Sequence, residues 1–298
     1  MENKAPGKDV SDQDLIEKIP LVAKSSINQQ SIVKVSETVQ FGGINIPLIA
    51  GPNLVESRDQ IFQIAEYAKR LGANMLRGGC FKPLTFPYRS SKYFETGEQG
   101  LIWLKEAGEH FGLPTVTEAV SSEQLMTVVQ YSSMIQIGTR NMQNYPLLID
   151  AARTGLPIML KRGYGASLRD WLGAAEYILY HGNPNVVLCE RGVSVPHTHR
   201  SSSRYLLDLQ VVPAAKEITH LPVITDPSHA CFWASWVEPL AKASIAVGAD
   251  GIMVETHPNP SEAAVDPLQA LSEMDFRRCI EGCSAVAKSI GRSLGSRF

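Results

Sequence analysis

Five basic side chains stand at or just beyond the ends of short apolar runs that are widely separated in the chain. Arginine suits bidentate recognition of a carboxylate or phosphate, whereas lysine supplies a compact point charge. If the five meet at one opening, they form a site for more than one anionic group, either a phosphate with a carboxylate or two phosphates. The five are Arg77, Lys82, Arg140, Lys161 and Arg191.

A second set combines nitrogen and oxygen donors of the kind that bind a divalent metal. It contains His229, Glu255 and Asp266. Plainer explanations stay open for its members. Asp266 could cap the last helix, and His229 could be a core histidine with its hydrogen bonds satisfied.

The elements that must position these residues alternate regularly from about residue 45. Helical patterns, several closing on a glycine, separate eight short apolar runs. One of these patterns begins near Tyr205, and the last helix is predicted from about Leu268 to Ser289. Eight alternating units predict an α/β fold, a (β/α)₈ TIM barrel with a short N-terminal extension. An open doubly wound sheet is the alternative, but the first run lacks a Gly-rich dinucleotide motif. The eight runs are INIPLIAGP, ANMLRGG, PTVTEA, MIQIGTR, PIMLKRG, NVVLCERG, LPVITDPSH and GIMVETH.

In such a barrel the carboxyl ends of all strands converge on one mouth, where barrel enzymes carry their chemistry. Nearly every run here ends in charged or polar residues. For one residue, capping or a rim ion pair is the better explanation. Clustered charge at eight ends is costly without a ligand or partner, so the pattern predicts a binding site.

Composition excludes several other classes. The chain has 298 residues, 28 basic and 30 acidic side chains and a formal net charge of −2, so it lacks the basic bias of nucleic-acid-binding proteins. No signal peptide or membrane-length apolar run is seen, and five scattered cysteines read as reduced thiols, which predicts a cytoplasmic protein. Residues 1–40 are predicted to form an N-terminal arm and residues 41–298 the catalytic barrel.

Six motifs carry a family resemblance: GGCFKPLTFPY, IQIGTRNMQN, LKRG, LCERG, DPSH and VETHPNP. From about residue 43 to 283 the chain resembles the 3-deoxy-D-arabino-heptulosonate 7-phosphate (DAHP) synthases, in the single-barrel branch related to 3-deoxy-octulosonate 8-phosphate synthase. The resemblance implies an aldol-type condensation of phosphoenolpyruvate (PEP) with erythrose 4-phosphate. This chain reads KRG at a position where the octulosonate branch reads KKP, and the difference favours the heptulosonate branch.

The resemblance also implies roles for individual residues. The five cations match PEP-binding positions, and Lys82 is in addition the expected proton donor to the aldehyde oxygen. Glu118 and Glu190 are nominated to position the attacking water. The sugar phosphate is assigned to Thr85 and Arg204.

Two positions depart from the family pattern. Asn53 replaces the cysteine that serves as a metal ligand beside the matches of His229, Glu255 and Asp266. Two outcomes therefore stay open: weak binding of a divalent ion such as Mn²⁺ or Mg²⁺, or no metal, with the Asn53 amide acting on the aldehyde. Leu84 replaces an arginine that holds the sugar phosphate, with Arg89, Arg200 or Arg204 as candidate substitutes.

Three hypotheses follow. The leading one is a DAHP synthase, expected to be homo-oligomeric by family analogy and to have neither nucleic-acid nor membrane partners. The second keeps the chemistry but takes another aldose. The third is a non-catalytic protein that binds PEP or a sugar phosphate, which the five retained cations disfavour.

Overall fold

A closed barrel of eight parallel strands forms the centre of the protein, as the sequence predicts. The computed structural model describes residues 10–81, 88, 94–196, 199–200 and 205–295. The eighth strand pairs with the first, Glu255 opposite Gly51, which closes the ring. The barrel strands, first to eighth, are Leu48–Gly51, Met75–Arg77, Thr115–Ala119, Met134–Ile137, Ile158–Lys161, Val186–Glu190, Val223–Thr225 and Ile252–Glu255.

Helices alternate with these strands and cover the barrel. The helix Arg58–Arg70 shows why they form: Ser57 caps it by accepting a hydrogen bond from Gln60 N, and its buried Ile61, Ile64 and Ala65 lie on one face. The described helices are Val10–Lys18, Arg58–Arg70, Gly97–Phe111, Ser122–Tyr131, Tyr145–Arg153, Leu168–Tyr180, Val211–Ile218, Pro227–Cys231, Ala234–Ala246 and Glu273–Ser289, with 3₁₀ turns at Thr139–Asn141 and Pro260–Glu262.

Two helix boundaries differ from the sequence prediction. The last helix begins at Glu273 instead of about Leu268, because the Ser272 side chain caps it at Asp275 N. The helix predicted to begin near Tyr205 begins at Val211. Tyr205–Leu206 instead pairs antiparallel with Val193–Ser194, a contact that the local sequence does not predict.

The barrel interior is filled by buried side chains from every strand, among them Ile49, Met75, Val116 and Met253. A hairpin of Val33–Lys34 and Gln40–Phe41 adds Val33, Val39 and Phe41 to this same cluster. The division of the chain at residue 40 stays a prediction, and it falls within this hairpin. A further short pair joins Asn45–Ile46 to Ser293–Leu294.

Candidate active site

The carboxyl ends of the barrel strands bring charged side chains into a buried cluster. Arg77, Lys161, Glu190 and Glu255 are the last residues of the second, fifth, sixth and eighth strands. All four are buried, and Arg191 follows directly at 7% exposure. Burial of several charges at one end of a barrel is costly unless they pair with each other or with a ligand.

Five of the mouth residues form a continuous series of contacts. Lys161 Nζ donates to Asp226 Oδ2 at 2.8 Å, and His229 Nδ1 lies 2.8 Å from the same oxygen. His229 Nε2 is 3.7 Å from Glu255 Oε2, which is 3.6 Å from Arg77 Nη1. The series therefore joins the fifth, seventh, eighth and second strands across the mouth.

The environment sets the charge of the two central members. Complete burial opposes ionisation of Asp226, but the neighbouring His229 and Lys161 outweigh it and hold the pKa of Asp226 well below its usual range. Burial lowers the pKa of His229 well below its usual range, with Asp226 opposing the shift. We assign an ionised Asp226, paired with the Lys161 ammonium, and a neutral His229 imidazole.

Asp226 is the member of this series to which sequence reasoning gave no role. It is fully buried, and Oδ1 also accepts a hydrogen bond from His229 N at the start of the helix Pro227–Cys231. The signal was present in the sequence, since Asp226 directly follows an apolar run. Its partner Lys161 lies 65 residues away, so only the closed barrel reveals the pair.

Two arginines keep a buried nitrogen without a hydrogen-bond partner among the described residues. These atoms are Nη1 of Arg77 and Nη1 of Arg191. The two side chains come from the second and sixth strands, which lie on opposite sides of the ring. Buried donors are normally satisfied, so two orphaned guanidinium nitrogens at one mouth are the expected mark of an anion site.

Arg162 is a mouth cation of a different kind. Its Nη1 donates to Glu190 Oε2 at 3.0 Å and to Asp208 Oδ2 at 2.8 Å, while Nε donates to the Ala166 carbonyl. Glu190 Oε1 accepts from Gly192 N at 2.7 Å and from Asp208 N at 3.2 Å. Burial raises the pKa of Glu190, and Arg162 opposes that shift. These contacts tie the loops beyond the fifth and sixth strands together.

Glu118 lies in the third strand, and Arg140 follows the neighbouring fourth strand. Glu118 Oε2 accepts from Gln136 Nε2 at 3.0 Å. Gly138 leaves room for this carboxylate, because a Cβ at that position would collide with it. Arg140 lies in the 3₁₀ turn after the fourth strand and is exposed.

Two of the three candidate metal ligands, His229 and Glu255, lie near each other, and Asp266 contacts Asn53. Asp266 Oδ2 accepts a hydrogen bond from Asn53 Nδ2 at 2.9 Å. Glu255 Oε2 accepts from Gln269 Nε2 at 2.7 Å and lies near Arg77. Within the described ranges, no three His, Cys, Asp or Glu side chains converge as a metal site. Oxygens of Asp266 and Glu255 instead accept hydrogen bonds from Asn53 and Gln269, and we derive no step through a metal ion.

Several predicted residues lie outside the part of the chain that the structure describes. They are Lys82, Thr85 and Arg204. Leu84, which departs from the family pattern, and Arg89, a candidate to replace the missing arginine, also lie outside it. Arg200 is described, and its guanidinium carbon lies 4.3 Å from the Trp233 ring centroid. The roles given to these residues stay predictions.

Comparison with known proteins places this chain and its fold in a family. The DAHP synthetase I family profile matches residues 27–288. Phospho-2-dehydro-3-deoxyheptonate aldolase of Thermotoga maritima is 38% identical over 271 residues, which cover 91% of this chain and 78% of that protein. A crystal structure of the Thermotoga enzyme superposes with a TM-score of 0.85 at 36% identity, covering 92% of this chain and 78% of that chain.

Relatives of the octulosonate branch are less similar. The 2-dehydro-3-deoxyphosphooctonate aldolase of Bartonella tribocorum is 29% identical over 264 residues, which cover 84% of this chain and 93% of that protein. The chain belongs to the DAHP synthetase I family.

Proposed function

We propose that this protein is a transferase that condenses PEP with erythrose 4-phosphate to give DAHP and inorganic phosphate. The observation that carries the proposal is the pair of buried guanidinium nitrogens of Arg77 and Arg191, on opposite sides of the mouth, that have no hydrogen-bond partner among the described residues. PEP carries a carboxylate and a phosphate, so it offers acceptors for both. The higher identity to the heptonate enzyme than to the octonate enzyme supports a four-carbon acceptor.

The reaction makes one carbon–carbon bond and releases one phosphate. C3 of PEP attacks the aldehyde carbon, and the aldehyde oxygen takes a proton, a step that we assign to Lys82. Water then adds to C2, and loss of phosphate from C2 leaves the ketone. Holding both substrates at near-attack distance supplies a large part of such catalysis, which is the task of the cations.

The contacts favour Glu118 over Glu190 for positioning the water. Both Glu190 oxygens accept hydrogen bonds from described residues, whereas Glu118 Oε1 faces the space left by Gly138. Lys161 is held by Asp226 at 2.8 Å, so we assign it a fixed charge that helps to neutralise PEP. Arg140 and Arg204 complete the proposed substrate contacts.

We expect the Asn53 amide to contribute in place of the missing thiolate, with His229, Glu255 and Asp266 as weak ligands for Mn²⁺ or Mg²⁺ at most. The described residues contain no helix long and apolar enough to cross a membrane. A cytoplasmic location and a homo-oligomeric state stay predictions.

The test is phosphate release from PEP with a panel of acceptors: erythrose 4-phosphate, pentose 5-phosphates and unphosphorylated erythrose. We expect the highest kcat/KM with erythrose 4-phosphate. A higher kcat/KM with a pentose 5-phosphate would support the alternative hypothesis, in which the same chemistry acts on another aldose. Binding of PEP without phosphate release from any acceptor would identify a non-catalytic protein and refute the proposal.

A further inference from the structure

Arg191 lies against two tyrosines that no part of the proposed reaction uses. The Tyr164 and Tyr205 rings are stacked, with centroids 4.7 Å apart and planes 7° from parallel. The Arg191 guanidinium carbon is 4.5 Å from the Tyr205 centroid and 5.1 Å from the Tyr164 centroid. Both distances fall within the range of a cation–π interaction.

The backbone fixes this tyrosine pair in place. Ser194 N donates to the Tyr164 carbonyl at 2.7 Å, and Ser194 is also paired with Tyr205 in the short antiparallel ladder. Gly192 has φ +98°, and a Cβ there would lie 2.8 Å from Tyr205 Cβ. The loops beyond the fifth and sixth strands therefore meet at the pair, close beside Arg191.

An aromatic surface holds a guanidinium in a way that a carboxylate does not. A carboxylate occupies N–H donors, as Glu190 and Asp208 do with Arg162. A ring attracts the charge through its π face and leaves the donors in the guanidinium plane available. The buried Arg191 Nη1 is such a donor, since it has no hydrogen-bond partner among the described residues.

We propose that Tyr164 and Tyr205 are positioning residues that hold Arg191 with its donors open toward an anionic group of PEP. They act through Arg191 and not by contact with the substrate, so they set affinity for PEP more than the rate of the chemical step. The inference rests on the proposed function. It adds a role for the tyrosine pair, which holds the buried Arg191 without neutralising its charge.

The experiment compares leucine and phenylalanine at each position, because phenylalanine keeps the ring and leucine removes it. We expect Tyr164→Leu and Tyr205→Leu to raise the KM for PEP by about 5- to 30-fold, the equivalent of a partly to fully desolvated cation–π contact. The KM for erythrose 4-phosphate and kcat should change less than about twofold. Tyr164→Phe and Tyr205→Phe should restore nearly wild-type KM for PEP.

A matched control uses another stacked tyrosine pair, Tyr145 and Tyr177 on the outer helices, whose centroids are 4.3 Å apart. Tyr145→Leu and Tyr177→Leu should leave the KM for PEP unchanged. Thermal unfolding of every variant separates loss of fold from loss of affinity. If a leucine variant does not fold, the corresponding methionine variant, which also lacks a ring, takes its place.

A double-mutant cycle with Arg191→Ala tests whether the tyrosines act through the arginine. In the Arg191→Ala background, Tyr205→Leu should no longer raise the dissociation constant for PEP, measured by calorimetry. An equal rise in both backgrounds, a leucine variant with wild-type KM for PEP, or equal losses for Phe and Leu would overturn the inference. If the wild type itself neither binds nor consumes PEP, the proposed function fails instead, so the two failures are distinguishable.

Discussion

Asp226→Asn is the most informative single change in the mouth, because it removes a charge and keeps the shape. Asp226 is fully buried, and its Oδ2 lies 2.8 Å from the Lys161 ammonium, which is itself 5% exposed. The asparagine Oδ1 can still accept from His229 N, so the helix cap survives. What remains is a buried lysine cation without its counter-charge, and breaking a buried pair in this way costs about 3–5 kcal/mol.

A second substitution separates structure from substrate binding. In Lys161→Met/Asp226→Asn both charges are gone, and replacing a buried pair by groups of similar volume is often close to neutral for stability. We expect urea denaturation to show a large loss of unfolding free energy for Asp226→Asn and recovery of most of it in the double variant. If Lys161 also holds PEP, the double variant stays impaired. Loss of a charged contact worth about 2–5 kcal/mol would lower its kcat/KM for PEP about 30-fold or more.

An exposed pair provides the control. Arg58 Nε and Glu106 Oε2 are 3.0 Å apart, but both side chains are about half exposed. Glu106→Gln should therefore change the unfolding free energy by less than about 1 kcal/mol. A cost for Asp226→Asn no greater than that of Glu106→Gln would refute the reasoning about the buried pair. Recovery of wild-type efficiency with PEP in the double variant would show that Lys161 is purely structural.

Two further predictions concern metal and pH. After exhaustive chelation the wild type should retain substantial activity. Asn53→Cys should bind softer divalent ions more tightly than the wild type does, measured by metal titration. Wild-type activity that is abolished by chelator and restored by Mn²⁺ would contradict this prediction. Burial raises the pKa of Glu190 above its usual 4.5, so its contribution to stability is fully present below about pH 4.5 and falls as pH rises through the folded-state value. Glu190→Gln cannot ionise, so its unfolding free energy in urea denaturation should rise relative to that of the wild type as pH increases above about 4.5. A difference that does not change with pH would refute the shift.

The fold was predictable because its signals are local. Each barrel strand is a short apolar run, and glycines close several helices, as Gly112 does with φ +62° at the end of Gly97–Phe111. The prediction was wrong at the start of the last helix, although Ser272 followed by Asp275 is a recognisable capping pattern. The pairing of Tyr205 with Ser194 could not be read locally, because it depends on a contact between two loops.

The site was predictable in composition but not in pairing. The strand-end rule identified the mouth cations Arg77, Lys161 and Arg191, and all three are buried there. In the sequence the three are equivalent, because a lysine or arginine at a strand end looks the same whether or not an acid faces it. The structure separates Lys161, which donates a hydrogen bond to Asp226, from Arg77 and Arg191, which each keep a buried nitrogen without a hydrogen-bond partner in the described part of the chain.

This division of the cations explains how the mouth is both stable before the substrate arrives and receptive to it. Several unpaired buried charges would destabilise the fold too much, so most of the buried charge must be balanced within the protein. Internal balance, however, consumes the donors that an anion needs. The protein resolves the conflict by pairing some cations with carboxylates and holding at least one, Arg191, against aromatic rings. The described mouth accordingly holds one more buried cation than buried carboxylates, and a bound anion would neutralise this excess. The four cations are Arg77, Lys161, Arg162 and Arg191, and the three carboxylates are Glu190, Asp226 and Glu255.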